Sequence, residues 1–219
     1  MTTITFDYDA LSEFVTRIFR AAGVPASVAK TVTAHLVTAD CRGRESHGVS
    51  RVPRYVRQLQ AKVIRPRAQM KILRDMGHLL MVRGGMNFGQ VTMTSVMAEL
   101  MKRVFKFGVV TAFVRSCNHI GEAGQYLIEP ASRGFAGKIE LNVIGVQRVA
   151  PFGACQPRMG TNVMAWGFPR RDSPLIADAS ACEIVIEPEG QRQGATQSSA
   201  LPALFSKEPK LTSDHSLKF

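Results

Sequence analysis

The spacing of apolar residues changes near residue 65, and this change restricts the chain to a fold that mixes helices and strands. Upstream of it, apolar side chains recur at helical intervals in three segments, at residues 11–22, 25–43 and 49–60. Downstream, short apolar runs at residues 71–73 and 79–82 indicate strands. A helical N-terminal part therefore precedes a part that contains a β-sheet.

The second part alternates strand and helix signals. The pattern predicts a helix over 90–107, a buried strand over 109–114, a helix over 121–134 and a half-exposed strand over 137–141. Pro130 falls inside the second helix, where its missing N–H removes a backbone hydrogen bond at a cost of roughly 3 kcal/mol. The predicted fold class is α/β (α+β), with a helical N-terminal domain (1–69), an α/β domain (70–181) and an irregular tail (182–219).

Composition and charge narrow the class of protein. The chain has 219 residues, of which 45% are hydrophobic, so it can bury a sizeable core. Its net charge of +11 suits either anionic small molecules or nucleic acid. The basic residues are scattered, and neither an aromatic stacking platform nor a helix-turn-helix pattern accompanies them. Nucleic-acid binding is therefore the lesser alternative.

Cysteine spacing and apolar runs argue against several other classes. The four cysteines form no C-x-x-C pair, so neither a zinc knuckle nor a redox dithiol is expected, no metal site is predicted, and the thiols should be reduced. Cys117 is interpreted as a packing residue. Without a run of eighteen apolar residues or a signal-peptide pattern, the expected location is cytoplasmic, with no membrane partner.

The segment 42–51 brings a hydroxyl, an imidazole and a guanidinium close together in sequence, at Ser46, His47 and Arg51. A guanidinium binds a carboxylate through two parallel hydrogen bonds, and an imidazole exchanges protons near neutral pH. Tyr55 follows Arg51 by four positions and would share its helical face. The trio suits chemistry on a hydroxy acid, but taken alone the pattern favours a histidine that only hydrogen-bonds backbone at a helix end.

Residues 40–55 (DCRGRESHGVSRVPRY) resemble the malate/L-lactate dehydrogenase family. Residues 116–126 (SCNHIGEAGQY), 149–153 (VAPFG) and 159–162 (MGTN) resemble the same family in the same order. The resemblance ends near Ala181.

This resemblance implies a non-Rossmann mixed-sheet fold and an oxidoreductase that transfers hydride between NAD or NADP and a small 2-hydroxy acid, with a 2-oxo acid as product. It implies substrate binding by Arg51 and Tyr55, with Ser46, His47 and His119 around the reacting oxygen. The residues that match the family's cofactor contacts are Asn142, Val143, Asp178, Ala179 and Ser180. No G-x-G-x-x-G motif occurs, in keeping with a fold that is not Rossmann.

Spacing alone leaves open which histidine exchanges the proton. We favour His119, with His47 oriented by Ser46. The resemblance also implies a homodimer. Because the match ends near Ala181, a catalytically incompetent, truncated remnant of the family is the main alternative.

Overall fold

The computed structural model describes residues 5–143, 147, 149–151 and 156–180. The predicted irregular tail, 182–219, lies outside the described residues, as do residues 152 and 153 of the loop motif at 149–153. The described helices are α1 (Tyr8–Ala21), α2 (Ala26–Cys41), α3 (Val52–Gln60), α4 (Gly89–Phe107) and α5 (Gln125–Ser132). The described strands are β1 (Lys71–Asp75), β2 (Leu79–Arg83), β3 (Thr111–Arg115), β4 (Gly137–Glu140), β5 (Val163–Phe168) and β6 (Leu175–Ser180). The mixed fold class is confirmed.

Local sequence signals account for the ends of the early helices. The Asp7 carboxylate accepts a hydrogen bond from the Ala10 N–H at 2.9 Å and caps α1. Gly23 follows the helix with φ +82°, a conformation that glycine adopts without a steric penalty. Pro25 directly precedes α2, and Pro53 lies in the first turn of α3, where a missing N–H costs nothing. Residue type at these positions thus accounts for both ends of α1.

Aromatic side chains of α1 and α3 pack against Phe88, the residue before α4. Phe88, which precedes α4, packs edge-on against Phe19 of α1 and Tyr55 of α3, with ring centroids 5.6 and 5.7 Å apart. All three residues are at most 1% exposed. Burying an aromatic or aliphatic side chain contributes about 1.5–3 kcal/mol, so this cluster fixes α3 against the segment that precedes α4.

The first sheet has the order β1-β2-β3, with β2 antiparallel to β1 and parallel to β3. Leu80 and Val82 of β2 form a small core with Val96 of α4. The predicted burial of strand 109–114 is wrong, because Phe113 of β3 is 60% exposed. A β-branched run looks the same in a central strand and in an edge strand, and β3 is at the edge of its sheet.

The helix predicted over 121–134 is shorter than its apolar pattern suggested. α5 begins at Gln125, because Gly121 has φ +79° and the chain turns before it enters the helix. Pro130 lies buried inside α5, which continues past it to Ser132. β4 alternates exposed and buried residues, as predicted for a half-exposed strand, and belongs to the second sheet, with order β4-β5-β6.

Backbone contacts divide the chain into two compact units. The first comprises residues 1–139 and 165–178, and the second comprises residues 140–164 and 179–219. The domain boundaries at residues 69 and 181 remain a prediction.

Candidate active site

The segment after α2 makes two short 3₁₀ turns, Glu45–His47 and Val49–Arg51. The Asp40 carboxylate holds the second turn by accepting the Val49 N–H at 2.8 Å. A Cβ on Gly48 would overlap this carboxylate, so only glycine lets the backbone pass this close. The segment is thereby fixed between α2 and α3, with His47 at the end of the first turn.

His47 is held from two sides. Its Nδ1 lies 3.0 Å from the hydroxyl oxygen of Ser46. Its ring stacks on that of His119, with centroids 5.7 Å apart and planes inclined by 21°. The structure therefore brings together the two histidines that the separate sequence motifs suggested.

The start of α4 positions the loop that carries His119. A Cβ on Gly89 would collide with the carbonyl oxygens of Asn118 and His119, so the loop lies directly on this glycine. The Asn118 side-chain amide donates to the carbonyl oxygens of Met86 and Asn87, at 2.8 and 3.0 Å. These contacts fix the backbone on both sides of the histidine.

Tyr55 joins α3 to this loop. Its hydroxyl oxygen lies 2.8 Å from Nδ1 of His119, and Nε2 of Gln90 donates to the same oxygen at 2.8 Å. Tyr55 is 1% exposed and Gln90 is fully buried, so the hydrogen bond between them is shielded from water, while the bond to His119 is partly buried. The motif analysis missed Gln90, and a glutamine at the first turn of an apolar helix was the signal that could have revealed it.

Arg51 supplies positive charge beside both imidazoles. Its Nε donates to the carbonyl oxygen of Ser46, which ties the guanidinium to the loop. Burial, followed by the charge of Arg51, lowers the pKa of His119 to about 3, although part of the residue reaches solvent. The same two causes lower the pKa of His47. Both rings are therefore neutral at pH 7.

Two acidic groups oppose the lowering of the His47 pKa by Arg51. The negative charges of Asp178 and Glu122 both act to raise the pKa of His47. Glu122 is 5% exposed and pairs with Arg42, its Oε1 lying 3.3 Å from the guanidinium Nε. Neither Glu122 nor Arg42 was assigned a role from the sequence. Arg51 and the two carboxylates thus have opposite effects on the pKa of His47.

Cys117 precedes the loop and has the environment of a packing residue. Burial raises the pKa of its thiol to about 11, so the reactive thiolate is scarce near neutral pH.

The predicted cofactor residues fall in different units. Asp178, in the first unit, accepts the Gly124 N–H at 2.7 Å, and its charge reaches His47. In the second unit, the Val143 N–H donates to the Asn162 side chain at 3.3 Å, and the Ser180 hydroxyl donates to the Thr161 carbonyl at 3.2 Å. Ala179 is exposed.

An open depression of about 330 Å³ lies in the second unit. It is lined by Glu140, Leu141, Asn142, Asn162, Val163 and Met164. Its volume is at the lower end of the range for small-molecule sites.

Within the described part of the chain, no three histidine, cysteine, aspartate or glutamate side chains converge as a metal-binding group. The helices of that part include none with the length and apolar character needed to cross a bilayer.

Comparison with known proteins agrees with this geometry. A family model described as malate/L-lactate dehydrogenase matches residues 6–192. The chain belongs to the malate/L-lactate dehydrogenase family. The matched range continues past Ala181, where the resemblance of the motifs ends. Hydroxycarboxylate dehydrogenase B of Escherichia coli O157:H7 is 32% identical over 182 residues, which are 83% of this chain and 50% of that protein.

Other dehydrogenases of the family are equally similar. Malate dehydrogenase of Pyrococcus abyssi is 34% identical over 178 residues, covering 81% of this chain and 49% of that protein. The solved structure of malate dehydrogenase from Pyrococcus horikoshii has 32% identity and a TM-score of 0.79, covering 84% of this chain and 52% of that one. The chain thus spans about half the length of the relatives it matches.

Proposed function

We propose that this chain contributes to an oxidoreductase that transfers hydride between a nicotinamide dinucleotide and a small 2-hydroxy acid, giving a 2-oxo acid. The observation that carries the proposal is the contact between Tyr55 and His119 beside Arg51, because it places a proton-exchanging group next to a cation. The named activities of the relatives, on hydroxycarboxylates, malate and lactate, belong to the same chemical class.

Arg51 binds the substrate carboxylate in this proposal. A guanidinium is planar and always charged, so it can hold a carboxylate through two parallel hydrogen bonds. A bound carboxylate also offsets the charge of Arg51 at His119. Because that charge lowers the pKa of His119, substrate binding raises this pKa toward the range useful for proton transfer.

His119 exchanges the proton of the reacting oxygen, and the buried Tyr55 acts on the substrate through this ring. The stacked ring of His47, held by Ser46, covers one face of His119 and limits its rotation. This arrangement fixes the geometry of the proton transfer before substrate arrives.

The nicotinamide cofactor supplies or accepts the hydride when bound. We propose that Asn142, Val143, Asp178, Ala179 and Ser180 contact it. Support comes from the amide side chains at the depression in the second unit, which suit the hydroxyl and carboxamide groups of a dinucleotide. The use of NAD or NADP, a homodimer and a cytoplasmic location belong to the same proposal and rest on the family resemblance.

Titration with NADH and NADPH, followed by nicotinamide fluorescence with and without pyruvate, tests the proposal. We expect saturable binding of at least one nucleotide, tightened by pyruvate. Arg51→Ala should weaken the response to pyruvate roughly 10- to 100-fold, as expected for loss of a charged hydrogen-bonded pair. Arg57→Ala, at an exposed position of α3, is the matched control.

Two results would contradict the proposal. If neither nucleotide binds, the chain is better described as an incompetent remnant of the family. If salt-sensitive retention on DNA accompanies that failure, the nucleic-acid alternative is favoured.

A further inference from the structure

We infer that Gln90 is a positioning residue that acts through the Tyr55 hydroxyl to keep the proton of neutral His119 on Nε2. The inference rests on the proposed function for its catalytic consequence, but the hydrogen-bond chain itself can be measured without substrate or cofactor.

The direction of each hydrogen bond in this series follows from whether its atoms can donate or accept a proton. An amide nitrogen only donates, so Tyr55 accepts from Nε2 of Gln90 at 2.8 Å. The remaining contact of the hydroxyl, to Nδ1 of His119 at 2.8 Å, then takes the O–H as donor. Nδ1 is therefore an acceptor without a proton, and the proton of the neutral ring is on Nε2.

The burial of Gln90 favours this orientation of its amide. Its Oε1 is buried and has no hydrogen-bond partner among the described residues. Exchanging the two amide atoms would instead leave both N–H groups without partners, and an orphaned buried donor is rarer in proteins than an under-satisfied carbonyl. Gly121 lies against the amide, and a Cβ there would approach Nε2 to 3.2 Å, so the glycine leaves room for the side chain.

A proton on Nε2 prepares the resting site for reduction of a 2-oxo acid rather than for oxidation of a 2-hydroxy acid. The ring can donate from Nε2 to the carbonyl oxygen of a 2-oxo acid, but it cannot take a proton there from a 2-hydroxy acid. The Nε2–H group can therefore hydrogen-bond the carbonyl oxygen and orient it for hydride transfer to the substrate carbon.

Nitrogen NMR of the whole chain, labelled with ¹⁵N in its histidine rings, tests the inference at pH 7.5. The unprotonated nitrogen of a neutral imidazole resonates far downfield of the protonated one, so the spectrum identifies the tautomer. The His119 signals are assigned from their loss in His119→Gln. We expect Nδ1 of His119 to be unprotonated and Nε2 protonated.

Two substitutions at one position separate the role of Gln90 from simple packing. In Gln90→Glu, a carboxylate accepts the Tyr55 O–H, so the proton of His119 should move to Nδ1. In Gln90→Leu, the directing donor is lost and both tautomers should appear. Gln60→Glu, at the exposed end of α3, adds the same charge and should leave the tautomer unchanged.

Protonated Nδ1 in the unaltered chain would overturn the inference, even if both Gln90 variants failed to fold. Retention of the same single tautomer in both folded Gln90 variants would overturn it as well. Pyruvate, added to the unaltered chain, should shift the Nε2 signal. If the tautomer is as expected but pyruvate has no effect, the proposed function fails while the role of Gln90 stands.

Discussion

The hydroxyl oxygen of Tyr55 lies 2.8 Å from Nδ1 of His119, although 64 positions separate the two residues in sequence. The contact joins α3 to the loop after β3, and it brings the two sequence motifs of the family into one site. Arg51 precedes Tyr55 by one helical turn, so the cation reaches the same ring.

Removal of the Tyr55 hydroxyl should destabilise the fold. Tyr55→Phe leaves the buried Gln90 Nε2 and the partly buried His119 Nδ1 without their hydrogen bonds. We expect the free energy of unfolding to fall by about 1–3 kcal/mol, measured by urea denaturation. Tyr8→Phe, at an exposed tyrosine of α1, should change it by less than about 0.5 kcal/mol. If the two variants lowered the free energy of unfolding equally, the result would contradict the hydrogen bonds described for the Tyr55 hydroxyl.

Loss of the Arg51 charge should make both active-site histidines easier to protonate. Arg51 lowers the pKa of His119 and of His47, second only to burial in each case. In Arg51→Gln the pKa of His119 should rise from about 3, and that of His47 should rise as well. Proton NMR of the imidazole C–H resonances against pH measures both values. Arg57→Gln serves as the charge-matched control, and an unchanged pKa in Arg51→Gln would show that the guanidinium does not act on the rings.

Gly89 should be essential for the position of His119. Gly89→Ala forces the loop carbonyls of Asn118 and His119 away from α4, so the contact between His119 and Tyr55 should lengthen. The His119 resonances should then shift markedly. Gly23→Ala provides the control, because its φ of +82° costs about 1–2 kcal/mol but its Cβ meets no atom within 4 Å. A loop that kept its position in Gly89→Ala would contradict the packing described.

Sequence patterns predicted what depends on local chemistry and missed what depends on tertiary packing. The cap at Asp7 and the stop at Gly23 follow from residue type and are seen in the structure. The exposure of Phe113 could not be read from its strand, because edge and central strands share the same apolar pattern. Gln90 was missed because an amide gains its role only when Tyr55, from another helix, reaches it.

Acid should destabilise the chain partly through His119. Its pKa is about 3 when folded and 6.5 ordinarily, so the unfolded chain binds more protons between these values and stability falls as pH falls through 6.5. At pH 5 the two values imply a loss of about 2 kcal/mol, which solvent access to the ring reduces to about 1 kcal/mol. Urea midpoints at pH 7.5 and 5.0 measure the loss. His119→Gln should lose less stability over this interval, and an equal loss in both proteins would contradict the assignment.

The rate at which the chain oxidises NADH or NADPH in the presence of a 2-oxo acid is the most direct test of the central claim. The unaltered chain should show a rate that saturates with pyruvate or oxaloacetate. His119→Asn should lower this rate by about 10²- to 10⁴-fold, the usual contribution of a positioned acid or base, while His78→Asn, in the turn before β2, should leave it unchanged. Equal rates for the unaltered chain and His119→Asn, or no oxidation that depends on the 2-oxo acid, would contradict the account.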